Sequence, residues 1–170
     1  SIHLNLSAKD LNSRALFNNL KQLVDSGQIN PSRLVLEVTE SNMLKDLNNT
    51  KQVLDSLRAI GFKISLDDFG TGYSSLTLLR ELPIDQIKID RSFVSGMHRS
   101  DSDHAIVRSS ISLAHGLNCT VIAEGVEETE LMALLDTANC DYVQGFINGR
   151  AQTIDNIVYW TKQHQLKSAI

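Results

Sequence analysis

The sequence predicts an α/β fold built from parallel strands, and three observations support this. Short apolar runs rich in β-branched residues alternate with longer stretches whose apolar residues recur every three or four positions, which is typical of strands alternating with amphipathic helices. The predicted strands start on average 28 residues apart (140 residues over five intervals), and no proline-rich or charged linker separates them. Each predicted strand also carries a polar residue near its carboxyl end. The alternation favours parallel pairing with right-handed crossovers.

Strands are predicted where short apolar runs are bounded by polar or turn-forming residues. The N-terminal run alternates apolar residues with His3 and Asn5, as expected of a strand. Each later strand is a short apolar run with a glutamate, an aspartate, a lysine or a glutamine at or near its end. The six predicted strands are Ile2–Leu6, Leu34–Thr39, residues 63–66, Gln86–Ile89, residues 120–123 and Tyr142–Gln144.

Helix boundaries are predicted from glycine, proline and acidic residues. We expect the first helix to end before Gly27, the second before Gly61 and the fourth before Gly116. Pro83 limits the third helix, because the residue before a proline disfavours helical geometry. The acidic first turn of the fifth helix suits the positive end of a helix dipole. The predicted helices span residues 11–26, 43–60, 74–82, 101–115, 128–138 and 154–165.

Composition narrows the classes of function. Of the 170 residues, 42% are hydrophobic, enough for a core, and we expect one domain over residues 1–170. The formal net charge is -4, which disfavours binding to long nucleic acid. Cys119 and Cys140 lack the spacing of a metal site or a disulfide scaffold. The small number of cysteines indicates a reducing compartment, and no long apolar run occurs, so we expect a cytoplasmic location.

Two architectures fit parallel strand–helix units, a doubly wound open sheet and a closed (β/α)8 barrel. Barrel enzymes place their functional groups at the carboxyl ends of several strands, whereas an open sheet concentrates ligand contacts near one switch point. Polar residues occur at the ends of all six predicted strands. The sequence therefore predicts a TIM-like barrel, here a partial barrel with six β/α units.

The residues at the strand ends indicate a metal site. Asn5, Glu37, Asp67, Asp68 and Glu124 offer oxygen ligands, which suit Mg²⁺, Mn²⁺ or Ca²⁺. Crowded carboxylates repel one another unless cations neutralise them. Adjacent aspartates would serve two ions because successive strand residues diverge, and paired ions ~3.5–4 Å apart recur in phosphoester hydrolysis.

Two further features accompany these carboxylates. Lys88 has two open interpretations: it orients an attacking water and stabilises phosphoryl charge, or it forms a structural salt bridge. Gly70 and Gly72 follow the aspartate pair, in a segment that we expect to close over substrate or to couple a partner to the metals.

The chain resembles the EAL family, bacterial phosphodiesterases for cyclic di-GMP. Six segments carry the resemblance in order: residues 4–7 (Leu-Asn-Leu-Ser), 37–40 (Glu-Val-Thr-Glu), 67–72 (Asp-Asp-Phe-Gly-Thr-Gly), 87–90 (Ile-Lys-Ile-Asp), 123–127 (Ala-Glu-Gly-Val-Glu) and 143–146 (Val-Gln-Gly-Phe). The resemblance implies a modified (β/α)8 barrel that hydrolyses cyclic di-GMP to linear pGpG with two Mg²⁺ or Mn²⁺ ions. It also implies a homodimer and additional sensory or cyclase domains in the same polypeptide.

The same resemblance implies a role for each matching residue. Asn5, Glu37 and Asp67 would bind the first metal, and Asp68 the second. Lys88 would position or deprotonate the attacking water. Glu124 and Gln144 would complete the metal and water shell, and Glu127 would support the site. Glu40 would brace the loop that contains Gly70 and Gly72. Asp90 and Arg150 would contact the substrate.

The sequence departs from the family pattern at two places, and both affect the activity that we expect. The family's Glu-Ala-Leu strand, which carries a metal ligand, is absent, so we expect an N-terminally incomplete domain with weak or no hydrolysis on its own. Ala151 stands where the family usually has proline, which alters the last loop. The alternative function is a catalytically inactive domain that acts as a cyclic di-GMP receptor or a protein-interaction module.

Overall fold

The computed structural model describes residues 1–43, 46–71 and 76–165, with no side-chain description for 76–78 and 161–165. It contains six strands, β1 to β6, and all of them begin at the predicted residues. The strands are β1 (Ile2–Leu6), β2 (Leu34–Thr39), β3 (Lys63–Phe69), β4 (Gln86–Ile89), β5 (Thr120–Glu124) and β6 (Tyr142–Gln144). The helices are α1 (Ala8–Leu11), α2 (Arg14–Asp25), α3 (Glu40–Met43), α4 (Leu47–Ile60), α5 (Leu76–Glu81), α6 (Arg91–Val94), α7 (Asp101–Gly116), α8 (Thr129–Thr137) and α9 (Ile154–Gln165), with a 3₁₀ turn at Pro31–Arg33.

The strands form one parallel sheet in the order β1-β2-β3-β4-β5-β6. A doubly wound sheet would reverse its strand order at a switch point, and this sheet has no such reversal. Sequential order with parallel pairing is the arrangement of a barrel wall. The predicted α/β fold and its TIM-like, partial-barrel architecture are therefore confirmed, as an open arc of six strands.

The two faces of the arc differ in chemistry. On the outer face, residues such as Leu36, Ile64 and Ile87 are at most 1% exposed and belong to one hydrophobic core with the helices. The inner face carries the alternate residues, among them the buried polar Glu37 and Lys88. Since successive strand residues point to opposite faces, packing helices on one face leaves the polar residues grouped on the other.

The prediction of one continuous helix over residues 11–26 is wrong, because a capping residue divides this segment. The chain instead forms α1 and α2, separated at residues 12 and 13. Ser7 and Asp10 make a capping box at the start of α1, and the Ser13 side chain caps α2 by accepting from Leu16 N. A serine that caps a helix satisfies backbone N–H groups that would otherwise lack partners, so Ser13 starts a new helix.

Other boundaries shift by a few residues. The predicted helix over residues 43–60 is observed as α4, which begins at Leu47 with Asp46 as its N-cap and ends at Ile60, where Gly61 caps it in the left-handed conformation. Residues 44–45 and 74–75 lie outside the described part. Strand β3 extends beyond the predicted end at residue 66, and α8 starts after Glu128. Among the described residues, no helix is long and apolar enough to cross a membrane.

Candidate functional site

Lys88 lies at the centre of a carboxylate cluster on the inner face of the arc. Its Nζ atom is 2.6 Å from Glu124 Oε1, 2.9 Å from Asp67 Oδ1 and 3.1 Å from Glu37 Oε1. Strands β2 to β5 each contribute one member. Lys88 is only 4% exposed, so its charge is almost fully removed from water. Lys88 therefore forms the salt bridges of the second interpretation, and these lie among the predicted metal ligands. Its role in orienting a water stays a prediction.

The electrostatics of the cluster keep Lys88 protonated. Burial lowers the pKa of Lys88, but the close contacts with Glu124 and Asp67 and the other nearby carboxylate charges outweigh burial, so the pKa lies above its ordinary value of 10.5. An ammonium donates hydrogen bonds but does not accept a proton. The protein groups around Lys88 thus favour its protonated form in the metal-free cluster, and its role in positioning or deprotonating water stays a prediction.

Asp67 and Asp68 converge because β3 is irregular at this point. The register between β3 and β4 shifts between Leu66 and Phe69, and Asp68 has a positive φ of 57°. A bulge breaks the alternation of side chains that a regular strand would impose. One ligand atom each from Asp67, Asp68 and Glu124 lie within 4.8 Å of one another. The expectation that the two aspartates diverge is wrong, because the left-handed backbone turns Asp68 back towards the cluster.

The pKa shifts show that the carboxylates are crowded. Burial is the largest cause of the raised pKa of Asp68, and the neighbouring charge of Asp67 adds to it. Burial also raises the pKa of Glu124, partly offset by its hydrogen bond to Lys88. One lysine thus does not neutralise the group. An oxygen-only donor set with excess negative charge fits a hard divalent cation such as Mg²⁺, Mn²⁺ or Ca²⁺.

Three predicted residues lie around the cluster without contacting it. Asn5 pairs in register with Glu37 on β2, and Gln144 pairs with Glu124 on β5. Both side chains are exposed, and neither has a hydrogen bond to the cluster among the described residues. Glu127 is also exposed and, within the described ranges, makes no ion pair with the cluster. Their places at the rim agree with the strand-end pattern, and their individual roles stay predictions.

The predicted loop-supporting residues lie beyond the ends of β2 and β3. Glu40 is 2% exposed, and neither of its carboxylate oxygens has a hydrogen-bond partner among the described residues. Gly70 has a φ of 98°, and a Cβ there would lie 3.0 Å from the Phe93 ring, so the position favours glycine. Gly72 lies outside the described residues, and a bracing contact from Glu40 to that segment stays a prediction.

The two predicted substrate contacts are separated in the structure. Asp90 caps α6 by accepting hydrogen bonds from the Ser92 N–H and hydroxyl groups, and its charge contributes to the raised pKa of Asp68. Arg150 is exposed and stacks on the Phe146 ring, with 4.5 Å between its Cζ atom and the ring centroid. Asp90 therefore belongs to the surroundings of the cluster, whereas Arg150 lies on the loop after β6.

A cavity of about 1270 Å³ occupies the inside of the arc. Its lining includes His3, Gln144 and Arg150 but none of the cluster residues around Lys88. The cavity thus lies beside the cluster, towards the amino ends of the strands, while the cluster lies nearer their carboxyl ends. Barrel enzymes use the carboxyl ends of the strands for chemistry, so we assign the reaction centre to the cluster.

Two inner-face residues were missed by the strand-end pattern. His3 was not among the predicted site residues, yet its Nδ1 atom lies 2.7 Å from Glu37 Oε1. Ser65 is fully buried beside Glu37 in the register of β2 and β3, and its hydroxyl has no partner among the described residues. The signal available in the sequence was the period of two: His3 precedes Asn5 by two positions, and Ser65 precedes Asp67 by two.

Comparisons with known proteins agree with this geometry. A family model described as the EAL domain matches residues 1–151. A signalling protein of Caulobacter vibrioides is 42% identical over 160 residues, which cover 94% of this chain and 20% of that protein. MucR of Pseudomonas aeruginosa, a bifunctional diguanylate cyclase/cyclic di-GMP phosphodiesterase, is 37% identical over 158 residues, covering 93% of this chain and 23% of MucR. The chain thus spans about a fifth of the length of these relatives.

Solved structures show the same fold. The PaMucR phosphodiesterase in complex with c-di-GMP superposes with a TM-score of 0.86 at 38% identity, covering 92% of this chain and 64% of that one. Klebsiella pneumoniae BlrP1 in complex with manganese and c-di-GMP gives a TM-score of 0.78 at 34% identity, covering 85% of this chain and 37% of BlrP1. The strand order, the carboxylate cluster and these matches together show that the chain belongs to the EAL domain family.

Proposed function

We propose that this chain carries the catalytic face of a phosphodiesterase that hydrolyses cyclic di-GMP to linear pGpG. The observation that carries the proposal is the placement of buried Lys88 among Glu37, Asp67 and Glu124, at the carboxyl ends of four adjacent strands. The positive charge of the Lys88 ammonium, placed among carboxylates that can hold metal ions, suits a reaction at a negatively charged phosphodiester. Cyclic di-GMP is the ligand named for the PaMucR and BlrP1 structures, which supports the choice of substrate.

The cofactor of the proposed reaction is Mg²⁺ or Mn²⁺, with two ions. Asp67, Asp68 and Glu124 would hold them, since one oxygen from each lies within 4.8 Å of the others, and Glu37 and Asn5 would extend the ligand set. When bound, such ions supply a more acidic water and positive charge for the phosphoryl oxygens. The BlrP1 complexes with manganese and with calcium support a divalent-cation site in this family.

Each residue of the chain has a distinct task in this proposal. Lys88 is assigned to orient the water and to donate a hydrogen bond to developing negative charge. Glu124 accepts a hydrogen bond from Lys88 and supplies a ligand oxygen on the same carboxylate. Gln144 orients the water from the neighbouring strand. Glu127 and Glu40 support the site from the following loops, and Asp90 and Arg150 contact the substrate.

The wider setting of the domain is also part of the proposal. The MucR relative is named as both a cyclase and a phosphodiesterase, which supports additional domains linked to this one. Cyclic di-GMP hydrolysis suits the cytoplasm, including the cytoplasmic part of a membrane-anchored sensor. We further propose a homodimer, as the family resemblance implies.

Product analysis tests the proposed activity. The chain is incubated with cyclic di-GMP and either Mn²⁺ or EDTA, and pGpG is quantified by chromatography. We expect weak Mn²⁺-dependent pGpG formation by this chain, which Asp67→Asn abolishes because Asp67 is assigned to a metal ion. Lys21→Met, which removes an exposed lysine on α2, is the matched control and should retain full activity.

The alternative, a receptor that binds cyclic di-GMP without cleaving it, gives a different result in the same experiment. Isothermal titration would show cyclic di-GMP binding while no pGpG forms at any Mn²⁺ concentration. That outcome would refute the phosphodiesterase proposal. Absence of both binding and product would instead favour a protein-interaction module.

A further inference from the structure

A second nitrogen donor approaches the carboxylate cluster from β1. His3 Nδ1 lies 2.7 Å from Glu37 Oε1, the same oxygen that lies 3.1 Å from Lys88 Nζ. The His3 side chain is 26% exposed and that of Glu37 is 6% exposed. The contact therefore lies at the boundary between the buried cluster and the cavity inside the arc.

The position of His3 follows from the strand register. His3 pairs with Val35, and Asn5 pairs with Glu37, so His3 is the inner-face residue that precedes the rim residue Asn5. The other ring nitrogen, Nε2, lies 3.3 Å from the Ser1 hydroxyl oxygen. If that hydroxyl donates to Nε2, the proton of a neutral ring is on Nδ1, and His3 donates it to Glu37.

Because of this contact, the two carboxylate oxygens of Glu37 have different surroundings. Oε1 accepts from His3 and faces Lys88, whereas Oε2 has no hydrogen-bond partner among the described residues. The terminal torsion of a glutamate is broad, so an unanchored carboxylate turns easily. The hydrogen bond from His3 and the ion pair with Lys88 both engage Oε1, and together they restrict rotation of the carboxylate.

We infer that His3 is a positioning residue that anchors Oε1 of Glu37 and so leaves Oε2 available to a divalent cation. The inference rests on the proposed function, because that function assigns Glu37 to a metal ion. Hydrogen bonds to a ligating group orient it, and their loss typically weakens metal affinity by about 10–100-fold. His3 itself is assigned no bond to the cation.

Three substitutions separate anchoring from other roles of the ring. In His3→Asn the amide nitrogen is bonded to Cγ, as Nδ1 is in histidine, so a donor to Glu37 is retained. His3→Gln places its amide one bond farther along the side chain, and His3→Ala removes the donor. We expect Mn²⁺ titration calorimetry to show about 10-fold weaker binding for His3→Ala and His3→Gln, with His3→Asn close to wild type. His104→Ala removes an imidazole from α7 and is the control for non-specific metal binding.

The possible results separate this inference from the proposed activity. Equal Mn²⁺ affinity in wild type and His3→Ala would overturn the inference, and so would His3→Asn binding as weakly as His3→Ala. Failure of wild type to bind Mn²⁺ would also overturn it. A wild-type chain that binds Mn²⁺ without forming pGpG would refute the phosphodiesterase but leave the anchoring of Glu37 supported by the affinities. Thermal unfolding of each variant without metal shows whether weak Mn²⁺ binding results from loss of the folded state. If His3→Ala is unfolded, the Mn²⁺ affinities of His3→Asn and His3→Gln decide whether His3 anchors Glu37.

Discussion

Replacing Lys88 with methionine tests the electrostatic argument for the cluster most directly. The change removes the ammonium that lies 2.6 to 3.1 Å from three carboxylates and keeps a side chain of similar length. At an effective dielectric constant of 20, each contact corresponds to about 5–6 kcal/mol of gross attraction. Desolvation of the ammonium offsets most of that attraction, and breaking a buried ion pair costs about 3–5 kcal/mol net. We expect Lys88→Met to lose about that much free energy of unfolding without metal.

Mn²⁺ should reverse part of this loss, because a bound cation takes over the neutralisation of Asp67 and Glu124. Urea unfolding at neutral pH, in EDTA and in saturating Mn²⁺, measures both effects. The control is Lys21→Met, whose ion pair with Asp25 is more than half exposed and should contribute at most about 1 kcal/mol. A Lys88→Met stability within about 1 kcal/mol of wild type, or a deficit that Mn²⁺ leaves unchanged, would refute the reasoning.

Three further predictions concern Asp68, Gly145 and Asp141. Asp68→Asn should be more stable than wild type without metal yet bind Mn²⁺ about 10–100-fold more weakly, measured by urea unfolding and calorimetry. The raised pKa of Asp68 means that wild-type stability falls relative to this variant as pH rises above 3.8. Gly145→Ala should lose about 1–3 kcal/mol by thermal unfolding, because the new Cβ overlaps the backbone of Val126. Burial raises the pKa of Asp141, but hydrogen bonds from His115 and a backbone N–H outweigh burial, so the pKa is lowered. Asp141→Asn should therefore lose about 1 kcal/mol of unfolding free energy at pH 7. This difference in stability between wild type and variant should shrink as pH falls through 3.8 and below.

Each of these three predictions has a result that would contradict it, and Gly145→Ala also has a matched control. Gly116→Ala lies where an added Cβ meets no atom within 4 Å, so it should not be destabilising. Equal losses for Gly145→Ala and Gly116→Ala would contradict the overlap argument. For Asp68→Asn, lower metal-free stability than wild type would contradict the crowding argument. A loss for Asp141→Asn that stays constant from pH 7 to pH 3 would show that its charge is not involved.

The strand pattern was predictable because it depends on local sequence. All six strand starts follow from short apolar runs, and the inner position of Lys88 follows from the period of two. The division between α1 and α2 was missed because Ser13 lies inside a helical apolar pattern, and its capping bond outweighs that pattern. The capping signal at Ser13 is one residue type at one position, which is weak beside two turns of apolar spacing.

The remaining parts of the site depend on contacts between distant residues. Convergence of Asp67 and Asp68 requires the register shift against β4, which no spacing in β3 encodes. The contact of His3 with Glu37 requires the pairing of β1 with β2, 34 residues apart in sequence. Oxygen-ligand chemistry was therefore visible in the sequence, whereas the geometry that joins these ligands comes from sheet pairing.

The left-handed backbone at Asp68 has an evolutionary consequence. In the described part of the chain, the other non-glycine residues with positive φ are both asparagines, Asn118 and Asn139, and asparagine and glycine tolerate this conformation well. A single base change converts an aspartate codon into a codon for either residue. Such a change removes a carboxylate from the cluster while the backbone keeps its shape and the crowding of charge is relieved. The position that brings the predicted metal ligands together is therefore also one where a carboxylate can be lost without loss of the fold.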